Sequence, residues 1–289
     1  MEVTYENGNA VLKKPDSFNI SHIFDCGQCF RFNKTDDNAY IGTAFGKTLK
    51  ISENGGDVTL YCTSREDFEN IWYDFFDLGT DYAQIKRTLS SDEVMSQAVK
   101  CGDGIRILKQ DLWESVVSFI ISQSNNIPRI KGIIERLCEN FGGKISYMGN
   151  TYYSFPTYDT LSKLSLGDLS VIRAGFRDKY ILNAAKMFAS GELSEKELRA
   201  LSAQDAKNAL MQVKGIGNKV SDCILLFGLS HTEAFPVDVW IKRITEYCWF
   251  GSEQSVKTIG DFAKKKFGAL GGYAQQYLFF YARENKIGV

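Results

Sequence analysis

The chain has 289 residues, 44% of them hydrophobic, with 34 Lys plus Arg against 35 Asp plus Glu for a net charge of -1. This is enough to build one large or two to three small cores without staples, and the charge excludes a protein that coats polyanions by bulk attraction. The balance is uneven: residues 1–100 carry 10 basic and 16 acidic side chains, while residues 101–289 carry 24 and 19.

The first ten residues, "MEVTYENGNA", are polar and charged. No apolar run there is long enough for export or a membrane span, so a soluble intracellular protein is expected. The seven cysteines are odd in number and scattered, which predicts reduced thiols. Cys26 and Cys29 in "CGQC" have redox spacing, but they precede a strand-like "FRF" rather than opening a helix after a strand, which argues against thioredoxin-type chemistry. With two histidines and no second close cysteine pair, no metal cluster is expected.

Residues 28–62 read as a meander of strands. "CFRFN", "AYIGTAF", "KTLKISE" and "DVTLYC" are rich in β-branched and aromatic residues, and "TDDN" and "NGGD" supply turn chemistry between them. From about residue 66 the periodicity is helical to the end. The expectation is an α+β chain: an N-terminal antiparallel sheet domain with flanking helices over residues 1–100, then a mostly helical body over 101–289. No internal repeat or low-complexity segment interrupts it, and the whole reads as compact.

Within the body, "NNIPRIKGIIERLCENFG" places Ile127, Ile130, Ile134, Leu137 and Phe141 on one face, with Pro128 tolerated in the first turn. Asn125 and Asn126 then sit at its N-terminus. "LSAQDAKNALMQ" and "NKVSDCILLFGL" are two helices joined only by "VKGIG", a helix-hairpin-helix over about 203–229. Gly215 and Gly217 make either a plain tight turn or a backbone grip for one phosphate, because a hairpin running into a helix leaves N–H groups facing outward. Lys219 shares a helix line with Cys223 and Phe227, so its stem should be half-buried. Apolar surroundings and helix-end positive charge are the conditions under which amines become nucleophiles. Downstream, "PVDVW" puts Asp238 at an N-cap position before an amphipathic run, and a cap can double as a functional carboxylate. The last helix, "GGYAQQYLFFYARE", carries Tyr273, Gln276, Tyr277 and Phe280 on one face and Gln275 with Phe279 on the next.

With "VKGIGNK" and "PVDVW" in place, the sequence resembles the helix-hairpin-helix DNA glycosylase superfamily, and within it the 8-oxoguanine DNA glycosylase/AP lyases, with further matching segments from "CGQCFRF" to "YAQQYLF". The resemblance implies that Lys219 attacks C1′ of the damaged nucleotide and that Asp238 stabilises charge on the sugar. It implies a base pocket in which the Gly27 carbonyl accepts the N7 hydrogen of 8-oxoguanine, Phe279 and Cys223 sandwich the base and Gln275 reads its Watson–Crick edge. Trp240 stands beside this pocket where the mammalian-type pattern has histidine. On the duplex, Asn126 is implied to fill the gap, Arg129 and Arg177 to hold the orphaned cytosine, and Gly215 and Gly217 to grip phosphate. Lys214 replaces the hairpin proline, Ser124 the first asparagine of a triplet, and Phe176 a wedging tyrosine, which bears on discrimination of the opposite base. Duplex DNA carrying 8-oxoguanine is the implied partner of a monomer, in a bacterial or archaeal cytoplasm and nucleoid or a eukaryotic nucleus. No catalytic cofactor is implied, with room for a monovalent or divalent cation at the hairpin–phosphate contact. The competing readings are a non-catalytic helix-hairpin-helix DNA-binding module and a relative with another lesion preference.

Overall fold

The computed structural model describes residues 2–287. Six strands, β1 (Glu2–Glu6), β2 (Asn9–Lys13), β3 (Asn33–Lys34), β4 (Tyr40–Ala44), β5 (Lys47–Asn54) and β6 (Asp57–Tyr61), form one sheet in the order β1-β2-β6-β5-β4-β3, antiparallel throughout. Three of its hairpins turn on residue pairs with positive φ: Asn7 and Gly8, Phe45 and Gly46, Gly55 and Gly56. Two-residue turns of that kind match the right-handed twist of the strands they join.

The pairing register sets Ala10 and Ile51 on either side of Leu60, and Leu12 opposite Val58. All of these side chains are fully buried on one face, against Phe24, Phe32, Trp72, Phe75 and Phe76. Two parts of this sheet differ from the sequence reading. The polar first residues are strands β1 and β2, joined by an Asn-Gly turn whose signal lies in "YENGNA". "CFRFN", read as a strand, contributes only Asn33 to β3; Phe30 and Phe32 instead plug two separate cores.

The remainder is helical as expected, with one exception. Strands β7 (Lys144–Tyr147) and β8 (Asn150–Tyr153) pair through Met148 and Gly149, both at positive φ. The Tyr147 hydroxyl donates to the Tyr61 carbonyl (2.6 Å) and accepts from the Lys50 N–H (2.9 Å), so this hairpin ties the helical body to the sheet.

Buried residues form two clusters. One lies under the sheet; the other runs from Tyr82 through the helices to Ala282 and takes in Cys26 and Phe30 from the N-terminal part. The last helix, Gly271–Glu284, is buried on nearly every side. Gly272 lets it approach Leu226, whose Cδ1 lies 2.3 Å from where a Cβ would stand. Its Tyr281 hydroxyl donates to Gln97 (2.7 Å) and its Arg283 donates to the Asp25 carbonyl (3.0 Å), which brings the "CGQC" loop to its side.

Candidate active site

Helix Ala203–Leu210, capped by Ser202, leads through the hairpin into helix Asn218–Gly228. Gly215 sits at φ +91, and a Cβ there would lie 2.4 Å from the ring of Tyr180; Gly217 has nothing within 4 Å of its would-be Cβ. The two glycines therefore serve different ends. Gly215 lets the hairpin pack on Tyr180, whereas Gly217, the exposed N-cap without a side-chain acceptor, leaves the first N–H groups of the helix open to an incoming anion. Gly215→Ala is expected to destabilise the fold by about 1–3 kcal/mol, while Gly217→Ala leaves thermal stability close to that of the parent. Melting curves of the two variants check this, and equal losses would contradict the division.

Lys219 occupies the second position of that helix and is half-buried, as its helix line predicts. Its Nζ stands 5.6 Å from the centroid of Phe119, a buried ring stacked in turn on Phe227. One turn on, burial pushes the Cys223 thiol up to about 11, against the pull of the Lys219 charge beside it. Cys223 is thus a neutral apolar wall rather than a second nucleophile.

Asp238 caps helix Val239–Thr245, accepting from the Ile241 N–H at 2.8 Å. Burial raises its carboxyl above the usual range, opposed by that hydrogen bond and by the charge of Lys219. The charge of Lys219 acts on Asp238, and no ion pair joins the two among the described residues. Trp240, partly buried in the first turn of the same helix, lies 5.7 Å from the Arg243 guanidinium.

The Gly27 loop of the sheet domain packs against the last helix. Gly27 sits at φ +77, and a Cβ on it would lie 3.2 Å from Cε1 of Phe279. Only a glycine both adopts this backbone without strain and lets the aromatic ring come so close. Gln275 is 4% exposed, and its Oε1 accepts from Gln276 at 2.8 Å. The "CGQC" thiols are buried, and burial pushes them up to about 12 (Cys26) and about 11 (Cys29), which opposes redox chemistry as the sequence context does.

The residues expected on the duplex sit in two neighbouring turns. Asn126 caps helix Ile127–Phe141 through a bond from the Arg129 N–H (3.0 Å), and both residues are exposed. Ser124, also exposed, is held at φ +46, outside the comfortable range of a serine. What holds it is Arg177. Only 2% exposed, Arg177 donates to the carbonyls of Gln123, Ser124 and Ala174, and its guanidinium lies 4.3 Å from the Phe176 ring. Phe176 is 52% exposed at the tip of its turn. Phe119, Tyr180 and Gln28 escape the sequence reading, because each acts through a partner distant in the chain or through an apolar contact without a motif.

A lysine amine beside a buried aromatic ring, a carboxylate within reach of its charge and a backbone hairpin suited to one phosphate define a helix-hairpin-helix protein that works on DNA. Comparison with known proteins gives the family. The chain belongs to the HhH-GPD superfamily of base excision DNA repair proteins, which matches residues 117–267, and residues 10–116 match the N-terminal domain of 8-oxoguanine DNA glycosylase. A probable N-glycosylase/DNA lyase of Methanothermobacter thermautotrophicus is 31% identical over 243 residues, 77% of this chain and 76% of that one. The N-glycosylase/DNA lyase OGG1 of Arabidopsis thaliana is 30% identical over 274 residues, 89% of this chain and 75% of that one. Among solved structures, the Clostridium acetobutylicum 8-oxoguanine glycosylase/lyase in complex with duplex DNA containing cytosine opposite the lesion superposes with a TM-score of 0.97, at 40% identity and 99% coverage of both chains. A 3-methyladenine glycosylase from Archaeoglobus fulgidus, 18% identical with a TM-score of 0.74 over 94% of this chain and 98% of that one, shares the fold.

Proposed function

We propose that the protein excises 8-oxoguanine from duplex DNA and then cuts the strand, with Lys219 as nucleophile. The single observation that carries this reading is the half-buried Lys219 amine over Phe119, with the charge of Asp238 beside it and Gly27 against Phe279. In this reading the neutral amine attacks C1′, the N-glycosidic bond breaks with its electron pair leaving on the base, the departing base takes up the proton the amine loses, and the ionised Asp238 offsets the positive charge that builds on the sugar. Ring opening then gives a Schiff base, and loss of a C2′ proton expels the 3′ phosphate. No cofactor enters these steps; a cation at the hairpin would serve only the phosphate grip.

Chemistry on a base requires it to leave the stack. The exposed Phe176 supplies apolar surface to wedge into the duplex, Asn126 and Arg129 stand on the adjacent turn, and Arg177 contributes mainly by fixing the strained Ser124. The sheet unit over residues 1–100 carries the Gly27 loop, and the body over 101–289 carries nucleophile and hairpin.

The experiment is a panel of duplexes, each with one lesion, scored for released base and strand nicking. Release of 8-oxoguanine ahead of alkylated purines is expected, and faster release of 3-methyladenine would overturn the reading. Phe279→Ala removes a stacking face worth about 1–3 kcal/mol, read as lost excision. Opposite the lesion, a short serine at 124 and no hydroxyl at Phe176 should relax discrimination by about 1–3 kcal/mol. Cytosine is then preferred while the other three partners are still processed. Single-turnover rates on the four duplexes decide it, a preference of about a thousandfold being contrary to this account.

A further inference from the structure

We propose that Gln110 is a positioning residue that fixes the Gly27 carbonyl relative to the helix bearing Lys219, with Gln28 passing on the hold. This rests on the reading of Gly27 as the group that recognises the lesion. Gln28 is fully buried. Its Nε2 donates to the carbonyls of Ile23 (3.0 Å) and Arg106 (2.7 Å), and its Oε1 accepts from the Leu108 N–H (2.8 Å). Gln110, itself 8% exposed, donates from Nε2 to the Gln28 carbonyl at 2.7 Å, and its own backbone N–H donates to the Phe227 carbonyl at 2.8 Å.

Phe227 lies in helix Asn218–Gly228, which also carries Lys219 and Cys223. One residue therefore bonds the recognition loop through its side chain and the nucleophile's helix through its backbone. The carbonyl of Gly27 and the N–H of Gln28 share one rigid peptide plane. A glycine at φ +77 imposes little on that plane itself, so its direction is set by what clamps residue 28. Ahead of the glycine, the Cys26 thiol donates to the Ile23 carbonyl (3.3 Å), which pins the other side. A contact that reads one hydrogen atom needs this, because recognition by a single hydrogen bond is lost when the acceptor turns away.

The test separates recognition from strand cleavage. Gln110→Met keeps the side-chain length and removes the donor. In the full chain, single-turnover excision of 8-oxoguanine should fall by about tenfold or more through misalignment, while cleavage at a preformed abasic site, which presents no base to Gly27, stays near the parent rate. A merely structural role lowers both together. Gln110→Glu provides a second readout: a protonated carboxyl can donate to the Gln28 carbonyl and a carboxylate cannot, so its excision deficit relative to the parent should shrink as pH falls. Parallel loss of both activities, parent-level excision in a folded Gln110→Met, or a Gln110→Glu deficit indifferent to pH would each overturn the inference. A parent protein that cleaves abasic sites and leaves 8-oxoguanine in place overturns the functional reading itself, and this inference with it.

Discussion

Lys219→Gln should abolish borohydride trapping on duplex carrying 8-oxoguanine and lower strand cleavage by at least about 10³-fold, the scale on which removing a nucleophile acts. Glutamine keeps a polar side chain of similar reach at the mouth of the hairpin but has no amine to form an imine. The variant should still bind duplex with little loss. The phosphate grip proposed here belongs to backbone N–H groups at Gly217 and the helix start, so position 219 would contribute to it only through charge. Its fold should also hold, since the side chain is half-exposed and caps nothing. Retained binding is what makes the experiment informative: a variant that neither binds nor cleaves has lost the site, while one that binds without trapping has lost the nucleophile. Undiminished trapping by Lys219→Gln would move the chemistry to another amine and end the assignment.

Much of this site was legible because its parts are local. The "VKGIGNK" hairpin, the Asp238 cap and the amphipathic face of residues 127–141 each declare themselves within a dozen residues, through glycine spacing, cap chemistry and helical period. The β1–β2 hairpin went unread although Asn7-Gly8 marks its turn, because the polar residues around that turn hide its strands. What the sequence withholds is long-range pairing. Gln28 meets Gln110 across 82 residues, and nothing in "CGQCF" marks its glutamine as a strut. Arg177 looks by resemblance like an arginine that reaches for DNA, yet the fold spends most of its donors on carbonyls 53 and 54 residues back in the chain. A buried arginine and an exposed one carry the same letter. Likewise Phe119 reads as ordinary core, and only the packed structure sets its ring beneath the Lys219 amine.

Asp238 combines two roles that substitutions can separate. As N-cap it accepts from the Ile241 N–H; as a carboxylate it stands in the field of Lys219. Asparagine caps as well as aspartate does, so Asp238→Asn should keep the helix start while removing the charge proposed to stabilise the developing sugar cation. Base excision should fall by about 10²–10³-fold, the usual scale for deleting one electrostatic contact to a transition state. Asp238→Ala loses the charge and the cap together, and should add a stability loss of about 1 kcal/mol. The pH dependence follows from burial, which holds the folded-state pKa above the ordinary 3.8. A carboxyl raised in this way favours the fold most when protonated. Its contribution is fully present below the unfolded-state pKa and is lost as pH rises through the folded value, so Asp238→Asn should gain stability relative to the parent over that interval. Catalysis runs the other way. The charged form is the useful one, so excision by the parent should decline in acid with a midpoint above 3.8, and Asp238→Asn should lack that limb of the profile. Single-turnover excision against pH, beside thermal melts of parent, Asn and Ala variants, checks both signs. If the Asn variant matched the parent in rate while the Ala variant alone failed, Asp238 would be a cap and nothing more.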